Sequence, residues 1–484
     1  MPAALLPAAL LSADGVTAAA SAFDAALLEA VGSVGLIAPV DSAGYSSDWR
    51  GLVHGRPRAV VRPASTDEVA AVIRACATHG VAIVPQGGHT SLVAGATPDA
   101  TGSEIVLSLS RMARIRAVDP EDLTLVAEAG VPWAAAQQAA ADAGCLLPLS
   151  ISSEGSAQVG GVLSANAGGN TTIRYGNARD LVLGIEAVWP DGTIWHGLRS
   201  LRKDNTGYHL RGLLVGAEGT LGVITAAVLG LAPALRLQAT ALCALPSVEA
   251  VTALFHRVRA TGGAALQAFE YISGTGMALV AAHISGMRVP FVAQHYALID
   301  LGTPGDMPLR PMLEAVLAQA MEDGVVNDAV LADSDAHRQA LWRLREEQAE
   351  AQRRDGASIK HDVSVAPARV PALIAGADAA CAALMPGMRT APFGHVGDGN
   401  VHYNVLPPPG MDGATFLAQS DAIGAAINAV VHQLDGSFSA EHGVGRIKRD
   451  LMPGWRGGSE LSAMRRIKAA LDPQNIMNPG VLFP

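Results

Sequence analysis

Apolar residues recur at helical spacing at Val69, Val72, Ile73 and Cys76, directly after Ser65-Thr-Asp-Glu68. Ser65 followed three residues later by Glu68 is a capping-box pattern, so a helix is predicted to open at Ser65. Residues 21–33 carry a similar amphipathic spacing and predict a second short helix. Compact apolar runs predict strands at 60–63, 81–84, 105–109 and 123–127. Strand and helix alternate at first, and strands then dominate through Val223-Ile-Thr225. The uncharged stretch 219–235 holds three glycines and a proline, which reads as buried strand and turn rather than a membrane span. Around Ala232-Pro233 the texture changes. Glycine thins out, and 247–259, 311–323 and 335–354 predict helices, the last charged along one face. Glycine returns at 394–399 and 443–445. The pattern as a whole is α+β, with no internal repeat and no low-complexity linker.

Composition narrows this picture. At roughly 150 residues per domain, 484 residues suggest about three folding units. Half the residues are apolar but only 4% are aromatic, so the core must be built from Ala, Val, Leu and Ile. Disorder is excluded except at the N-terminus. The formal charge is −10, and no basic run occurs, which argues against binding nucleic acid. Only four of the 34 basic residues are lysines (Lys203, Lys360, Lys448 and Lys468). The Ala/Arg/Gly bias is that of a GC-rich bacterial genome. Cys76, Cys145, Cys243 and Cys381 form no CxxC pair, so this chain holds neither a zinc ribbon nor an iron–sulfur cluster. They read as buried reduced thiols of a cytoplasmic protein. Residues 1–13 are apolar like a signal peptide, but the first basic residue is Arg50, too late for a targeting segment.

Three glycine-rich segments carry the first chemical signal. They are Gly87-Gly88-His89-Thr90-Ser91, Gly155 to Gly169, and Gly216-Ala-Glu218-Gly219-Thr-Leu-Gly222. Consecutive backbone N–H groups in such turns form anion-binding nests. No GxxxxGK[ST] and no GxGxxG after a strand is present, which disfavours a P-loop or Rossmann site. One such segment alone would be read as tight turns. Three within 140 residues point to an extended, diphosphate-bearing ligand.

Pro85-Gln-Gly-Gly-His-Thr90, Asn166-Ala-Gly-Gly169, Arg174-Tyr-Gly, Lys203-Asp-Asn-Thr-Gly-Tyr208 and Gly216-Ala-Glu-Gly-Thr-Leu-Gly-Val-Ile-Thr225 occur in that order. Together they resemble the FAD-binding flavoproteins of the vanillyl-alcohol oxidase and p-cresol methylhydroxylase superfamily. More narrowly, the chain from about residue 40 onward is similar to the FAD-linked D-2-hydroxyacid dehydrogenases, of the D-2-hydroxyglutarate, D-lactate and glycolate-oxidising type. The resemblance implies a two-subdomain FAD-binding domain over 1–232 and an α/β substrate cap domain over 233–437. A short helical C-terminal segment, 438–484, would return to the flavin. It implies that Pro85, Gly87, Gly88, His89, Thr90 and Ser91 line the cofactor. Gly155, Ser156, Gly160, Gly161, Asn166, Gly168 and Gly169 would do so from the second segment. Glu218, Gly219, Ile224 and Asn478 would complete the FAD site. His89 departs from the asparagine usual at that position in the hydroxyacid dehydrogenases. In some sugar and alkaloid oxidases of the superfamily, a histidine there is bonded covalently to the flavin.

The most informative stretch is Gly394-His395-Val-Gly-Asp-Gly-Asn-Val-His402-Tyr-Asn404. Asp398-Gly399 is a favoured two-residue hairpin turn. With that turn, Val396 pairs with Val401 and His395 with His402, whose imidazoles would stand about 5 Å apart at Cβ. Asn404 would share their face. A turn at Gly399-Asn400 would instead place His395 opposite Asn404. Two imidazoles are half a metal site, and Glu441 in Ser439-Ala-Glu-His-Gly is the candidate carboxylate. The resemblance implies His395, His402 and Glu441 as ligands of a divalent metal, zinc by preference, and His442 as the general base. It also carries substrate-carboxylate binding onto Arg345 and Lys360, with Asn404 beside them. The threonine of the hydroxyglutarate pattern, four residues after the arginine, is Ala349 here, which removes a hydroxyl from the pocket.

The expected reaction is FAD-dependent, metal-assisted oxidation of a D-2-hydroxy acid to the 2-oxo acid. Electrons would leave to an external acceptor: a quinone, an electron-transfer flavoprotein or an iron–sulfur subunit. Oligomeric state is not encoded in any motif, and a homodimer is compatible with the chain. Competing readings are a sugar or lactone oxidase with flavin bonded to His89, a metal-dependent hydrolase, and a non-catalytic flavin-binding protein.

Overall fold

The computed structural model describes residues 13–484, with side chains from residue 22 onward. Of the stretch 1–13, expected only to mimic a leader, residues 1–12 lie outside the described residues. The helix Ala13–Val31 covers the one predicted at 21–33 and packs Phe23, Leu27 and Val31 onto the first core.

The capping box at Ser65 forms, with one shift. The helix Thr66–His79 begins after Ser65, whose hydroxyl accepts from the Glu68 N–H at 3.2 Å. The Glu68 carboxylate reaches one residue further back, to the Ala64 N–H at 2.7 Å. Val69, Val72, Ile73 and Cys76 are fully buried, as their spacing requires. This helix leads into a four-stranded sheet with strands in the order 36–37, 59–61, 104–108, 82–86. The strands Ala59–Val61 and Ala82–Gln86, joined by this helix, both run parallel to Glu104–Ser108, which lies between them, as a strand–helix–strand unit requires.

A five-stranded antiparallel sheet follows, in the order 115–119, 124–128, 223–230, 182–188, 194–197. Its central strand Val223–Gly230 is buried at every position, so the uncharged run is an interior strand covered on both faces. Trp133 lies inside this unit, 0% exposed, with its indole N–H donating to the Leu149 carbonyl at 2.8 Å.

Beyond residue 235 the chain builds an eight-stranded antiparallel sheet. The order along it is 328–331, 237–245, 295–303, 266–273, 393–394, 400–406, 359–364, with 389–390 also on 400–406. One face packs on the helices Val248–Gly262, Leu309–Glu322, Val370–Leu384 and Ser420–Gln433. Residues 367–384 are long and apolar enough to cross a membrane. Val370, Leu373, Ile374, Ala377 and Cys381 nevertheless pack into this core.

Two expectations need correction. The charged helix predicted over 335–354 is two helices, Asp335–Glu346 and Gln348–Asp355, broken at Glu347, where ψ is 2°. Leu341 and Leu344 then pack on the sheet, while Gln348 reaches the helix Gly274–His283, whose Gly276 leaves room for it. The hairpin at 393–406 is not the two-residue turn. Phe393, not His395, is the register partner of His402. Residues 395–399 form a wider loop in which the His395 carbonyl accepts from the N–H groups of Asp398 and Gly399 at 3.1 Å. The strand partner ends at Gly394, whose φ of 148° lets the backbone turn away from the ladder.

Glu128 anchors the rim of the five-stranded sheet. Its buried carboxylate accepts from the Arg114 backbone at 2.9 Å and from the Arg114 and Arg116 side chains at 2.8 and 3.3 Å. Burial alone would raise this carboxyl; the Arg114 hydrogen bonds and both arginine charges outweigh it and hold it below 4.5. A depressed folded-state value stabilises the protein above the unfolded value and is lost as pH falls. Glu128→Gln should therefore cost about 2 kcal/mol at neutral pH. The gap from wild type should close as denaturant unfolding is repeated at pH values progressively below 4.5.

Candidate active site

The strands Ile359–Ser364 and Asn400–Leu406 pair with Lys360 opposite Asn404 and Asp362 opposite His402. Alternation sends Ile359, Val363, Val401, Tyr403 and Val405 into the core. Lys360, Asp362, Asn400, His402 and Asn404 are therefore left on the other face. The loop 395–399 brings His395 to this face, its ring 5.5 Å from that of His402 and nearly perpendicular to it at 80°. The approach expected from sequence is thus reached through a wider loop.

Asp362, which the sequence reading passed over, organises the face. Its Oδ2 accepts from the backbone N–H groups of Ala440, Glu441 and His442 at 3.1, 3.0 and 3.0 Å. Its Oδ1 accepts from the Asn400 amide at 2.9 Å. The carboxylate is only 2% exposed at the residue level. Burial opposes its charge, but His442, His402, Lys448 and the converging N–H groups hold it well below the usual carboxylate range. This clamp delivers Glu441 and His442 to the histidines from a remote segment. The His395, His402 and His442 Nε2 atoms lie 3.9, 3.5 and 3.8 Å from Glu441 oxygens. The other ring nitrogen of each also faces a carboxylate. His395 Nδ1 is 2.7 Å from Glu270, and those of His402 and His442 are 3.7 and 3.5 Å from Asp362.

Donor atoms of Asp362, His402, Glu441 and His442 all lie within 4.8 Å of one another. This set could hold a divalent ion, and it differs from the expected ligands: His402 and Glu441 are in it, Asp362 and His442 join them, and His395 is not among the four. Burial first of all holds His402 and His442 below the ordinary imidazole range, so their nitrogens are free bases able to ligate. Burial, opposed by His395, pushes Glu441 up to about 7, the mark of a carboxyl without a full counter-charge. Burial opposes a proton on His395, yet Glu270 keeps it up to about 9. Imidazoles backed by carboxylates are the usual surroundings of a metal ligand.

Arg345 is buried, its Nε–H donating to Glu270 at 2.7 Å and its guanidinium 4.7 Å above the Phe393 ring. One of its five N–H donors is thus committed to the protein. Asn404 donates to the Gln352 side chain at 2.7 Å. Lys360 is exposed on the same face; burial of its surroundings, then Arg50 and Arg353, hold its ammonium below the ordinary range. Ala349 is exposed and stands on the second helix of the broken pair.

The glycine segments converge on the same place. A Cβ on Gly88 would run into the Ser156 carbonyl, so these two loops pack backbone to backbone. Gly87 lies against Gln158 and the Gly161 N–H at 3.5 Å from its would-be Cβ. Pro85 packs on Gly219. Gly160 is fixed by its N–H to Ala129, and Gly169 is pressed on the Ser150 carbonyl. Asn166 accepts from the Arg179 N–H at 2.9 Å, and Ser91 from the Val93 N–H at 3.3 Å. The site for a Cβ on Gly168 is 3.6 Å from Glu441, which sets this loop beside the histidines. Ile224 is buried in the strand Val223–Gly230. The Glu218 carboxylate is occupied by the N–H groups of Val444 and Gly445, both at 2.8 Å. Asn478 donates to the carbonyls of Gly95 and Glu218 at 2.8 and 2.7 Å. The C-terminal return is therefore tied down on both sides.

These loops fit a dinucleotide. Among the described residues, nothing lies within 4 Å of a Cβ built on Gly155 or Gly161, and Gln158 Oε1 and Asn478 Oδ1 are buried without a partner. Open glycine edges together with orphaned buried acceptors suit a ligand offering hydroxyl and ring N–H donors. His89 has φ 56°, and its ring nitrogens lie 3.3 Å from the Gly44 carbonyl and 3.2 Å from the Thr97 hydroxyl.

The fold is of the p-cresol methylhydroxylase type. p-Cresol methylhydroxylase itself superimposes with a TM-score of 0.74 at 16% identity, over 96% of each chain. 4-Ethylphenol oxidase from Gulosibacter chungangensis gives 0.71 at 18% identity, over 98% of each. Residues 57–197 match the FAD binding domain family, and residues 235–482 match the FAD linked oxidases, C-terminal domain. The D-2-hydroxyglutarate dehydrogenase of Xanthomonas citri pv. viticola is 37% identical, covering 92% of this chain and 93% of its own. The mitochondrial D-2-hydroxyglutarate dehydrogenase of Bos taurus is 36% identical, over 90% and 79%. The chain belongs to the FAD-linked D-2-hydroxyacid dehydrogenase family and is an FAD-dependent oxidoreductase.

Replacing Asp362 by Ala strands three N–H groups and removes the charge facing two histidines. It should lower stability by about 3–5 kcal/mol in denaturant unfolding. Limited proteolysis should then cut the variant first between residues 436 and 449, where the wild type resists.

Proposed function

We propose that this protein oxidises a D-2-hydroxy acid, 2-hydroxyglutarate- or lactate-like, to the 2-oxo acid. The observation that carries the reading is the gathering of His395, His402, His442 and Glu441 beside Gly168 of a flavin loop, with Arg345 and Lys360 on the same side. We assign the FAD-binding domain to 1–232, the cap to 233–437 and the returning segment to 438–484. His395, His402 and Glu441 would hold a divalent metal, zinc by preference. Pro85 to Ser91, the 155–169 segment, Gly219, Ile224 and Asn478 would surround FAD, with Glu218 acting through the loop it holds.

When bound, FAD supplies a hydride acceptor at N5 and the divalent ion supplies Lewis acidity at the substrate hydroxyl. The residues do the rest. His442, kept neutral by burial, takes the hydroxyl proton on Nε2. Its Nδ1 is steadied by Asp362 at 3.5 Å. Arg345, Lys360 and Asn404 orient the substrate carboxylates and align C2 with the flavin. The cationic surroundings of Lys360 favour a dianion over a neutral substrate. Ala349 offers no hydroxyl to a distal carboxylate, which broadens the choice beyond hydroxyglutarate.

Both nitrogens of His89 are within hydrogen-bond distance of protein oxygens, which supports non-covalent FAD over the oxidase reading. Four free, buried thiols support a reducing, cytoplasmic setting, and the Ala/Arg/Gly bias supports a bacterial source. The absence of any CxxC pair supports electron transfer to a separate acceptor.

The test is anaerobic flavin bleaching with a panel of D- and L-2-hydroxy acids, with and without chelator. A D-enantiomer should bleach the flavin and chelator should suppress it; bleaching by L-acids alone refutes the reading. His442→Ala should retain metal and slow bleaching about 10²- to 10⁴-fold. His395→Ala should lose metal and bleaching together. Acid precipitation should leave the yellow colour in the supernatant.

A further inference from the structure

Glu270 lies in the strand Leu266–Ser273 and is 1% exposed. Its strand neighbours Phe269 and Tyr271 point into the core that also holds Val401 and Tyr403. Ala268 and Ile272 face the other way, toward Leu341 and Leu344 of the helix Asp335–Glu346. Glu270 therefore sits on the face that looks at this helix and at the loop following Gly394. Its two oxygens have separate partners. Oε1 meets His395 Nδ1 at 2.7 Å, and Oε2 accepts from Arg345 Nε at 2.7 Å.

We propose that Glu270 is a positioning residue that ties metal ligation at His395 to substrate-carboxylate binding at Arg345. The inference rests on the ligand and substrate roles proposed above for those two residues. An imidazole that gives its Nδ1–H to a carboxylate keeps Nε2 as the ligating lone pair and cannot rotate away. An arginine whose Nε–H is pinned keeps its terminal N–H groups aimed in one direction. One buried carboxylate does both, with one oxygen for each partner. Glutamine offers a single carbonyl and an NH₂ group. It can satisfy His395 or Arg345, and its NH₂ then faces the other donor. Aspartate keeps the charge but is a methylene short of reaching both.

The experiment titrates the FAD-loaded protein with zinc against a competing chelator and measures substrate half-saturation in anaerobic bleaching at saturating zinc. Glu270→Gln should weaken zinc about 10- to 100-fold with flavin still bound, and should raise half-saturation for the 2-hydroxy acid. Arg345→Met should raise half-saturation without weakening zinc. The double variant should show no larger half-saturation defect than Arg345→Met, because the carboxylate acts on substrate only through that arginine. Glu270→Asp, which retains the charge, should lose zinc affinity in the same direction and serves if the glutamine variant does not fold. Zinc binding that His395→Ala abolishes and both Glu270 variants leave at wild-type strength overturns the tie. Zinc binding that survives His395→Ala as well overturns the ligand reading and the tie with it.

Discussion

The active face depends on one buried carboxylate gathering three consecutive backbone N–H groups. Asp362 enters from a strand of the large sheet, while residues 440–442 arrive almost eighty positions later with no regular structure of their own. A segment of that kind would ordinarily leave its amides to water. Here the carboxylate satisfies them and, in the same act, fixes where Glu441 and His442 project. Because hydrogen bonds to a charged acceptor are about twice as strong as neutral ones, a loop can be held with strand-like definition. The cost is a buried negative charge. It is offset by the Lys448 ammonium and by the three converging N–H groups, with the neutral imidazoles of His402 and His442 packed alongside.

Glu218, beside the glycine loops, does what Asp362 does from the large sheet. Its carboxylate takes the N–H groups of Val444 and Gly445, only two residues beyond His442. The returning segment is thus pinned by two acidic groups, one from each part of the chain. Lys448 reinforces the arrangement by donating to the Phe438 carbonyl at 3.2 Å. Close approach needs glycine where the backbones meet: Gly443 lies against Glu218, and Gly445 against the Val93 carbonyl. In that light the glycines at 443 and 445 are a docking requirement as well as a turn signal.

Much of this was legible beforehand. The ordered glycine segments pointed to an extended diphosphate ligand, and the His395–His402 spacing with Glu441-His442 pointed to a metal-type cluster. Local rules carried these signals, since turn glycines and strand alternation act over a few residues. The errors fell where local rules compete with distant packing. Asp398-Gly399 is a good two-residue turn, yet Phe393 rather than His395 pairs with His402, because the chain leaves the ladder at Gly394. The charged run 335–354 has continuous helical propensity, yet it breaks at Glu347 so that successive halves meet different neighbours. Asp362 was visible only as part of Lys-His-Asp, and Glu270 lay in an apolar strand with no motif around it. A buried acid inside an interior strand is the one signal that could have drawn attention to Glu270.

Read alone, the amino-acid order sets out the candidate chemistry: glycine edges suited to a flavin, imidazoles and a carboxylate suited to a metal, and a scarcity of lysine that makes Lys360 conspicuous. No cysteines are spaced for an iron–sulfur cluster within the chain. Folding settles which carboxylates face which histidines, that Arg345 shares Glu270 with His395, and that the C-terminal segment is clamped by Asp362 and Glu218. The physical reason is one of range. Propensity and periodicity are set by neighbours along the chain, whereas a buried charge is stable only where partners from remote segments converge on it. Those partners cannot be identified until the chain is folded.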